Sequence, residues 1–321
     1  MRFKKTLITL LTAGSLLFGN PANSEEIHLT PKDNYTEIIT KYCNDEIKDT
    51  FLFQAGEYNL TEQEGGPINV SQDVFRSEIF EDLRLWDMTV GFDYKIVTDA
   101  YPLIHGKFGI GDNVTLDNII FDGWLNQIAF YIHGDNITIK NCVINDYYVG
   151  LYIDDNSYDI NNLLITNNIL SNNFCGAGFL QNSEKLDKLI SNNHIIKSYY
   201  GILTESGYVN IGTEVKHGDN VIGMNNFNIY NVSGLSIPAK WNWFYDYNGN
   251  FLDTEEEIAT TLYHSGKKSV DENKGFKLMG NIDFVPFQEQ DYFTIPHEPL
   301  PTPTPNYDNL PSSNDNWEMY K

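Results

Sequence analysis

Short runs of alternating apolar and polar residues recur along the middle of the chain, and polar turns rich in asparagine separate them. The reference asparagines of these turns are 23, 27, 25 and 33 residues apart: Asn118, Asn141, Asn168, Asn193 and Asn226. A period in the twenties is typical of a chain wound into stacked parallel coils. Asparagine suits such turns because it tolerates the left-handed conformation and its amides can form a ladder along the stack. The pattern predicts an all-β fold, a right-handed parallel β-helix (solenoid). The alternative is a β-sandwich with Asn-rich loops, which would not repeat the turn residue in phase.

Amphipathic segments at both ends predict caps for the open coils. Residues 34–43 have the pattern of an N-terminal capping helix, and the strand and turn at 50–58 follow. Near the other end, Thr254 and Glu257 form a capping-box signal for a C-terminal closing helix. Residues 280–286 then predict a last edge strand that ends at a proline. Residues 60–111 show no firm repeat, and residues 211–218 are predicted to be a looped-out insertion.

The N-terminus has the features of a secretory signal peptide. Lys4 and Lys5 precede an apolar run over 7–18, and small residues at Ala22 and Ser24 suit cleavage before Glu25. The predicted organisation is a signal peptide (1–24), a β-helix domain (25–290) and a Pro-rich flexible tail (291–321). The tail is either a tether or a frayed terminus. We expect a monomeric protein that is secreted, periplasmic or on the cell surface.

The chain is strongly acidic, and this limits its partners. The formal net charge is −23, and it becomes −26 once Arg2, Lys4 and Lys5 leave with the signal peptide. This charge excludes nucleic-acid binding and attachment to anionic membranes as the main role, and no later apolar run is long enough for membrane insertion. A polyanionic sugar polymer would be repelled unless calcium bridged it or the groove carried local lysine or arginine. We predict no cofactor, with calcium as the minor alternative.

The three cysteines, Cys43, Cys142 and Cys175, lack the spacing of a zinc site. Cys142 and Cys175 lie in neighbouring coils, where they either meet or act as two small buried hydrophobic residues.

The Asn-x-Ile coils, the opening at 51–58 and the closing stretch at 218–286 together resemble secreted parallel β-helix proteins of the pectin-lyase-like superfamily. The resemblance covers roughly residues 34–287. It implies a substrate groove along the strand that follows the asparagine turn, and the family includes pectate lyases, polygalacturonases, pectin methylesterases and alginate-modifying enzymes. It also includes many surface proteins with no established activity. The clear coils lack the groove arginine of the lyases, and only Asp154-Asp155 matches a polygalacturonase motif.

The groove strands suggest candidate site residues because alternate side chains point outward. One predicted outer column contains Tyr131, Tyr152, Leu180 and Leu203, and the next contains His133, Asp154, Asn182 and Glu205. If the protein is an enzyme, we expect a polysaccharide hydrolase or lyase with catalytic residues His133 (base), Asp154 (orienting residue or acid) and Glu205 (second carboxylate). The two carboxylates would be roughly 9.6 Å apart, which could suit an inverting hydrolase. The predicted substrate-binding residues are Tyr131, Tyr152, Asp122, Trp124, Asp155 and Tyr148.

Two functional hypotheses follow from the sequence. The first is an exported protein that binds, and possibly cleaves, polysaccharide in a groove along one sheet face. The second is a non-catalytic surface or adhesive protein that uses the solenoid as a stiff rod. In the second case, the polar residues and tyrosines are simply the solvated outer face of a strand.

Overall fold

The computed structural model describes residues 26–33, 37–39, 49–59, 68–70, 73–77, 89–90, 93–94, 102–153, 160–180, 188–205, 208–233, 235–264 and 281–287. The predicted signal peptide and Pro-rich tail lie outside these residues, as do Asp154, Asp155 and Asn182.

The described strands are short, as a narrow coil requires. In chain order they are β1 (Glu26–Leu29), β2 (Thr50–Phe53), β3 (Gly56–Asn59), β4 (Ile68–Val70), β5 (Val74–Ser77), β6 (Thr89–Val90), β7 (Asp93–Tyr94), β8 (Pro102–His105), β9 (Phe108–Ile110), β10 (Thr115–Asp117), β11 (Ile120–Asp122), β12 (Ile128–Ile132), β13 (Ile137–Lys140), β14 (Val143–Asn145), β15 (Val149–Ile153), β16 (Leu163–Thr166), β17 (Ile169–Ser171), β18 (Cys175–Phe179), β19 (Lys188–Ser191), β20 (His194–Ile196), β21 (Tyr200–Thr204), β22 (Val221–Gly223), β23 (Phe227–Asn231), β24 (Ser236–Pro238), β25 (Trp243–Phe244), β26 (Leu262–His264) and β27 (Asn281–Asp283). An α-helix, α1, spans Glu255–Thr261, and residues 37–39 are also helical.

Three long sheets run along the molecule. The first sheet has the order β1-β2-β5-β10-β13-β16-β19, the second β25-β22-β20-β17-β14-β11-β8-β3, and the third β26-β23-β21-β18-β15-β12-β9-β4. Every neighbouring pair in these sheets is parallel. Each coil from β10 to β21 therefore adds one strand to each sheet. The predicted parallel solenoid is confirmed, and the sandwich alternative is wrong.

The inward side chains of the three sheets form one continuous core. Near the N-terminal end the core is aromatic: Phe51 stacks on Phe75 with ring centroids 4.7 Å apart, and Phe121 meets Phe130 edge to face at 4.6 Å. Burial of one such side chain contributes on the order of 2 kcal/mol. A single coil cannot enclose its apolar side chains, so this contribution arises only when coils stack.

The turn from the first to the second sheet uses two adjacent positions differently. The first position is left-handed, with φ between 49° and 61°, and its residues are Asn118, Asn141, Asn167, Asn192, Asp219 and Trp241. The second position holds a buried amide ladder of Asn168, Asn193, Asn220 and Asn242. Within this ladder, Asn193 Oδ1 accepts a hydrogen bond from Asn168 N at 2.9 Å, and Asn193 Nδ2 donates to Ile165 O at 2.9 Å.

The predicted single ladder of five asparagines is therefore partly wrong. Asn168 and Asn193 belong to the buried ladder, whereas Asn118 and Asn141 are the left-handed residues before it. Asn226 is exposed in the turn between the second and third sheets. In that turn a shorter series of buried side chains also joins neighbouring coils by hydrogen bonds. For example, Asn173 Oδ1 accepts a hydrogen bond from Tyr147 N at 2.9 Å.

Both predicted end segments appear where the structure describes them. Residues 37–39 are helical and Ile39 is fully buried against the first coils. At the other end, Thr254 caps α1 by accepting from Glu257 N at 3.2 Å, and Ile258 is fully buried. The predicted edge strand is β27, which pairs in parallel with β24.

The predicted insertion at 211–218 is shorter than expected. Ile211 is fully buried in the core, and Gly212 forms a parallel bridge to Ala239. Within 211–218, the exposed residues are 214–217.

Candidate functional site

The outer face of the third sheet carries most of the predicted site residues. Phe130, Ile132, Leu151 and Ile153 point into the core, so the residues between and beyond them point outward. The register along this face places Tyr131, Tyr152, Gly178, Leu203, Tyr230 and Tyr263 in one column. Leu180 was predicted in this column, which is wrong: Gly178 occupies that place, and Leu180 lies at the level of Glu205.

Aromatic side chains cover much of this outer face. We call the following set the aromatic face: Tyr131, Tyr148, Tyr152, Phe174, Tyr199, Tyr200, Phe227, Tyr230 and Tyr263. Tyr131 stacks on Tyr152 with centroids 5.1 Å apart, and Tyr148 stacks on Phe174 at 4.8 Å. Towards the C-terminal end, Tyr230 stacks on Tyr263 at 4.2 Å. Tyr148, Phe174, Tyr199 and Phe227 form one continuous row of rings outside the core, whereas Gly178 and Leu203 separate the ring pairs at the two ends of the neighbouring column.

The aromatic face is partly shielded and partly open. Tyr148, Tyr152 and Phe174 are at most 6% exposed, whereas Tyr131, Tyr199, Tyr200, Phe227, Tyr230 and Tyr263 are half-buried. Burial raises the pKa of Tyr230 to about 12, and the neighbouring Tyr263 adds to this shift. Burial also raises the pKa of Tyr200. These hydroxyls are protonated at neutral pH, so they can donate as well as accept hydrogen bonds.

The predicted catalytic residues are spread along one margin of this face. His133 directly follows β12 and is exposed, with its Nδ1 3.4 Å from Tyr131 O. Glu205 directly follows β21 and is half-buried. Three strand spacings, about 14 Å, separate their levels. The proposed partner Asp154 lies outside the described residues, as does Asp155, so the His133 dyad stays a prediction.

A second polar group lies at the opposite margin, where the chain turns from the second to the third sheet. Asn145 Nδ2 donates to Asp122 Oδ1 and to Asp146 Oδ2, both at 2.9 Å. The Asn145 side chain is held in turn by Ser171 Oγ, which donates to its Oδ1 at 2.8 Å. Burial, together with the negative charge of Asp122, raises the pKa of Asp146 to about 6. One amide therefore positions both carboxyls, and Asp146 is partly protonated near pH 6.

An imidazole and an indole border this carboxylate pair. His105 Nδ1 donates to Asp122 O at 2.6 Å, which leaves Nε2 directed at Glu57 Oε1, 3.4 Å away. Trp124 is 51% exposed, and its ring lies nearly parallel to that of His105 with centroids 6.4 Å apart. This margin thus combines carboxyl, imidazole and exposed aromatic groups.

The structure divides the predicted site residues into two groups. Asp122, Trp124 and Tyr148 lie at or near the start of the third-sheet strands, whereas His133 lies at their end. A strand of five residues separates these margins by about 16 Å. Tyr131 and Tyr152 occupy the outer face between them.

Sequence reasoning placed Asp146 at a margin of the groove but gave it no chemical role, and it missed the C-terminal tyrosines. Continuing the outer column beyond Leu203 by one coil reaches Tyr230, and a further coil reaches Tyr263. These steps are 27 and 33 residues long, and both intervals occur between the asparagine turns, so the repeat could have located both tyrosines. Asp146 gave no comparable signal, because its pKa depends on burial.

The cysteines give no sign of a metal or redox site. Cys142 and Cys175 are free and buried, and burial raises the pKa of the Cys142 thiol to about 12. Across the described ranges, no group of three or more His, Cys, Asp or Glu side chains is arranged to hold a metal ion. Cys43 lies outside those ranges.

Within the part of the chain that the structure describes, no helix is long and apolar enough to cross a membrane. Comparison of the chain with protein-family models, with curated proteins and with solved structures gives no match in any of the three.

Proposed function

We propose that this protein is exported and binds a polysaccharide along the aromatic face. The observation that carries the proposal is a set of half-buried tyrosine and phenylalanine rings on the outer side of a parallel sheet. Tyrosine supplies a rigid apolar ring together with a polar hydroxyl, and a sugar ring has both apolar and hydroxyl-bearing surfaces. The core and the amide ladders fix the strands beneath, so the rings need little reorganisation on binding.

The dimensions of the face suit an extended ligand. Five strand spacings separate Tyr131 from Tyr263, which corresponds to about 24 Å. A small molecule would cover only part of this length. A linear sugar chain lying along the solenoid axis would contact rings from several coils at once.

Cleavage of the bound chain is the second candidate function. Asp122 and Asp146 accept hydrogen bonds from the same Asn145 nitrogen, so their bonded oxygens lie on the order of 5 Å apart. Such a separation is typical of retaining glycoside hydrolases, in which one carboxyl acts as acid and base and the other as nucleophile. Asp146, with its raised pKa, would be the acid, and exposed Trp124 would contact a sugar ring. The pair His133 and Asp154, with Glu205, stays as the competing catalytic assignment.

Affinity electrophoresis against a panel of neutral, basic and acidic polysaccharides tests the binding proposal. We expect at least one polymer to retard the native protein. Tyr230→Ala should weaken that retardation at least about fivefold, since stacking on one ring is worth about 1 kcal/mol. Tyr247→Ala is the matched control, because Tyr247 is also half-buried but lies in the turn at 246–249 and not on a strand of the third sheet. Lack of retardation by every polymer would favour the non-catalytic rod.

Incubation with each retarding polymer, followed by assays for new reducing ends and unsaturated products, tests cleavage. Loss of products in Asp146→Asn and Asp122→Asn, with binding retained, would support the carboxylate pair. Loss of products in His133→Ala and Asp154→Ala, with binding retained, would support the catalytic assignment to His133 and Asp154. Binding without products would leave the protein as a polysaccharide-binding module.

A further inference from the structure

The outer positions of the third sheet carry no lysine or arginine in the part of the chain that the structure describes. These outward positions, on the strands and directly after them, are Gly109, Ile128, Tyr131, His133, Val149, Tyr152, Cys175, Gly178, Leu180, Tyr200, Leu203, Glu205, Phe227, Tyr230, Val232 and Tyr263. Apart from the tyrosines and Cys175, their titratable groups are one imidazole and one carboxylate. At these described positions the face has no fixed positive charge with which to hold a carboxylate ligand.

Glu205 places its negative charge within the aromatic face. It follows β21 on the outward side, in the column next to Leu203 and Tyr230. Its field contributes to the raised pKa of Tyr230, after burial and the neighbouring tyrosines, and to the raised pKa of Cys175, after burial. The carboxylate therefore acts on groups from two adjacent strands of the face.

Tyrosine rings favour cations by themselves. A ring has a negative face, so an ammonium group held over it gains roughly 0.5–2 kcal/mol, depending on how much water is removed. The open rings Tyr230 and Tyr263 lie one and two coils from Glu205, in the column next to it. An amine on the ligand could contact a ring and remain close to the carboxylate.

The surroundings reinforce this preference. Among the described residues, the turns from the second to the third sheet carry Asp122, Asp146 and Asp246 against Lys107 and Lys197, and the turns that leave the third sheet add Asp112 and Asp135. The whole chain has a formal net charge of −23. Such a field draws cationic ligands towards the protein and repels polyanions, most strongly at low ionic strength.

We propose that the aromatic face selects sugar chains that carry protonated amino groups over uncharged chains, and excludes polyuronates. This inference rests on the proposed polysaccharide-binding function and specifies its ligand class. Tyrosine rings supply affinity for any sugar chain, and Glu205 supplies the discrimination in favour of the amine.

The test compares three oligosaccharides of equal length by isothermal titration calorimetry, at a pH that protonates the amines. The ligands are oligomers of glucosamine, N-acetylglucosamine and galacturonic acid. We expect the glucosamine oligomer to bind at least about tenfold more tightly than the galacturonic acid oligomer, a difference of about 1.4 kcal/mol. Raising the salt concentration should reduce this ratio.

Glu205→Gln is the diagnostic variant, and Glu256→Gln, on the exposed surface of α1, is its matched control. We expect Glu205→Gln to weaken glucosamine binding severalfold while N-acetylglucosamine binding changes less than about twofold. Equal thermal unfolding midpoints for the two variants would exclude a folding defect.

Equal or tighter binding of the galacturonic acid oligomer would overturn the inference and leave polysaccharide binding standing. An unchanged amine preference in Glu205→Gln would overturn the role of Glu205. Failure of all three oligomers, and of the wider panel, would overturn the proposed function itself.

Discussion

At the scale of single residues, burial decides which titratable groups influence stability. Asp146 and His194 are both shifted by burial, but in opposite senses. Asp146 is held beside a second carboxyl, which favours its protonated form, whereas His194 is 5% exposed and favours its neutral form. Their effects on folding therefore oppose each other in mildly acidic solution.

Asp146→Asn should stabilise the protein at pH 7. The folded-state pKa of Asp146 is about 6, above its ordinary value of 3.8, so its deprotonation costs stability as the pH rises from about 4 to 6. Because the carboxyl is part-exposed, we expect a gain of no more than about 1 kcal/mol at pH 7 and none near pH 4. Asparagine also tolerates the left-handed φ of 60° at this position. Urea unfolding at both pH values measures the difference, and an equal effect at both would contradict the assignment.

His194→Gln should make the protein less sensitive to acid. Burial lowers the pKa of His194 to about 4, below its ordinary 6.5, so the unfolded state binds the proton first and stability falls as the pH drops through this window. The shift corresponds to about 3 kcal/mol between pH 7 and pH 4. Unfolding curves at several pH values should show that the variant lacks much of this loss. Parallel curves for the native protein and the variant would contradict it.

At the scale of elements, the asparagine turns show how far the sequence can be interpreted. The period correctly predicted the coils, because every coil repeats an apolar run and a polar turn. It did not separate the left-handed position from the ladder position, because the doublets at 167–168 and 192–193 fill both with asparagine. Only the path of the backbone distinguishes the residue that bends the chain from the one that is buried.

Asn193→Ala should be strongly destabilising. The substitution removes the acceptor of Asn168 N and the donor to Ile165 O, and both groups remain buried. Unsatisfied buried polar groups cost about 1–3 kcal/mol each, so we expect a loss of about 3 kcal/mol. Asn226→Ala is the matched control, because Asn226 is exposed, and it should change stability by less than about 0.5 kcal/mol. Similar losses in both variants, measured by urea unfolding, would contradict the ladder.

A pair of glycines in β18 explains the misplaced column. The sequence aligned Gly178 with the glycines of neighbouring strands, Gly150 and Gly201, but Gly176 is their structural equivalent. A Cβ on Gly176 would lie 2.6 Å from Gly201 O of the next coil, whereas one on Gly178 would meet nothing closer than 3.6 Å. The sequence does not indicate which of the two glycines packs against the neighbouring coil.

Gly176→Ala should therefore destabilise the protein by at least about 2 kcal/mol, since the backbone oxygen of a packed coil cannot move away cheaply. Gly178→Ala, two residues away in the same strand, should be close to neutral. Thermal unfolding of both variants makes the comparison. A neutral Gly176→Ala, or a strongly destabilised Gly178→Ala, would show that the register of β18 is wrong.

At the scale of the whole molecule, the solenoid converts sequence spacing into a surface. Residues about 25 positions apart become neighbours, and the rings of the aromatic face gather from six coils. The fold and the closing helix could be predicted, because periodicity and capping signals are local. The division of the predicted site residues between two margins could not be predicted from the sequence, because it depends on where each strand begins and ends around the coil.

The central claim, that the aromatic face binds polysaccharide, is tested most directly by oxidative footprinting with and without a bound oligosaccharide. The tyrosines are read individually by mass spectrometry after brief hydroxyl-radical exposure. We predict that the ligand lowers the modification rates of Tyr200, Tyr230 and Tyr263 and leaves that of Tyr247 unchanged. Saturating ligand that protects none of the three face tyrosines, or protects Tyr247 alone, would contradict the account.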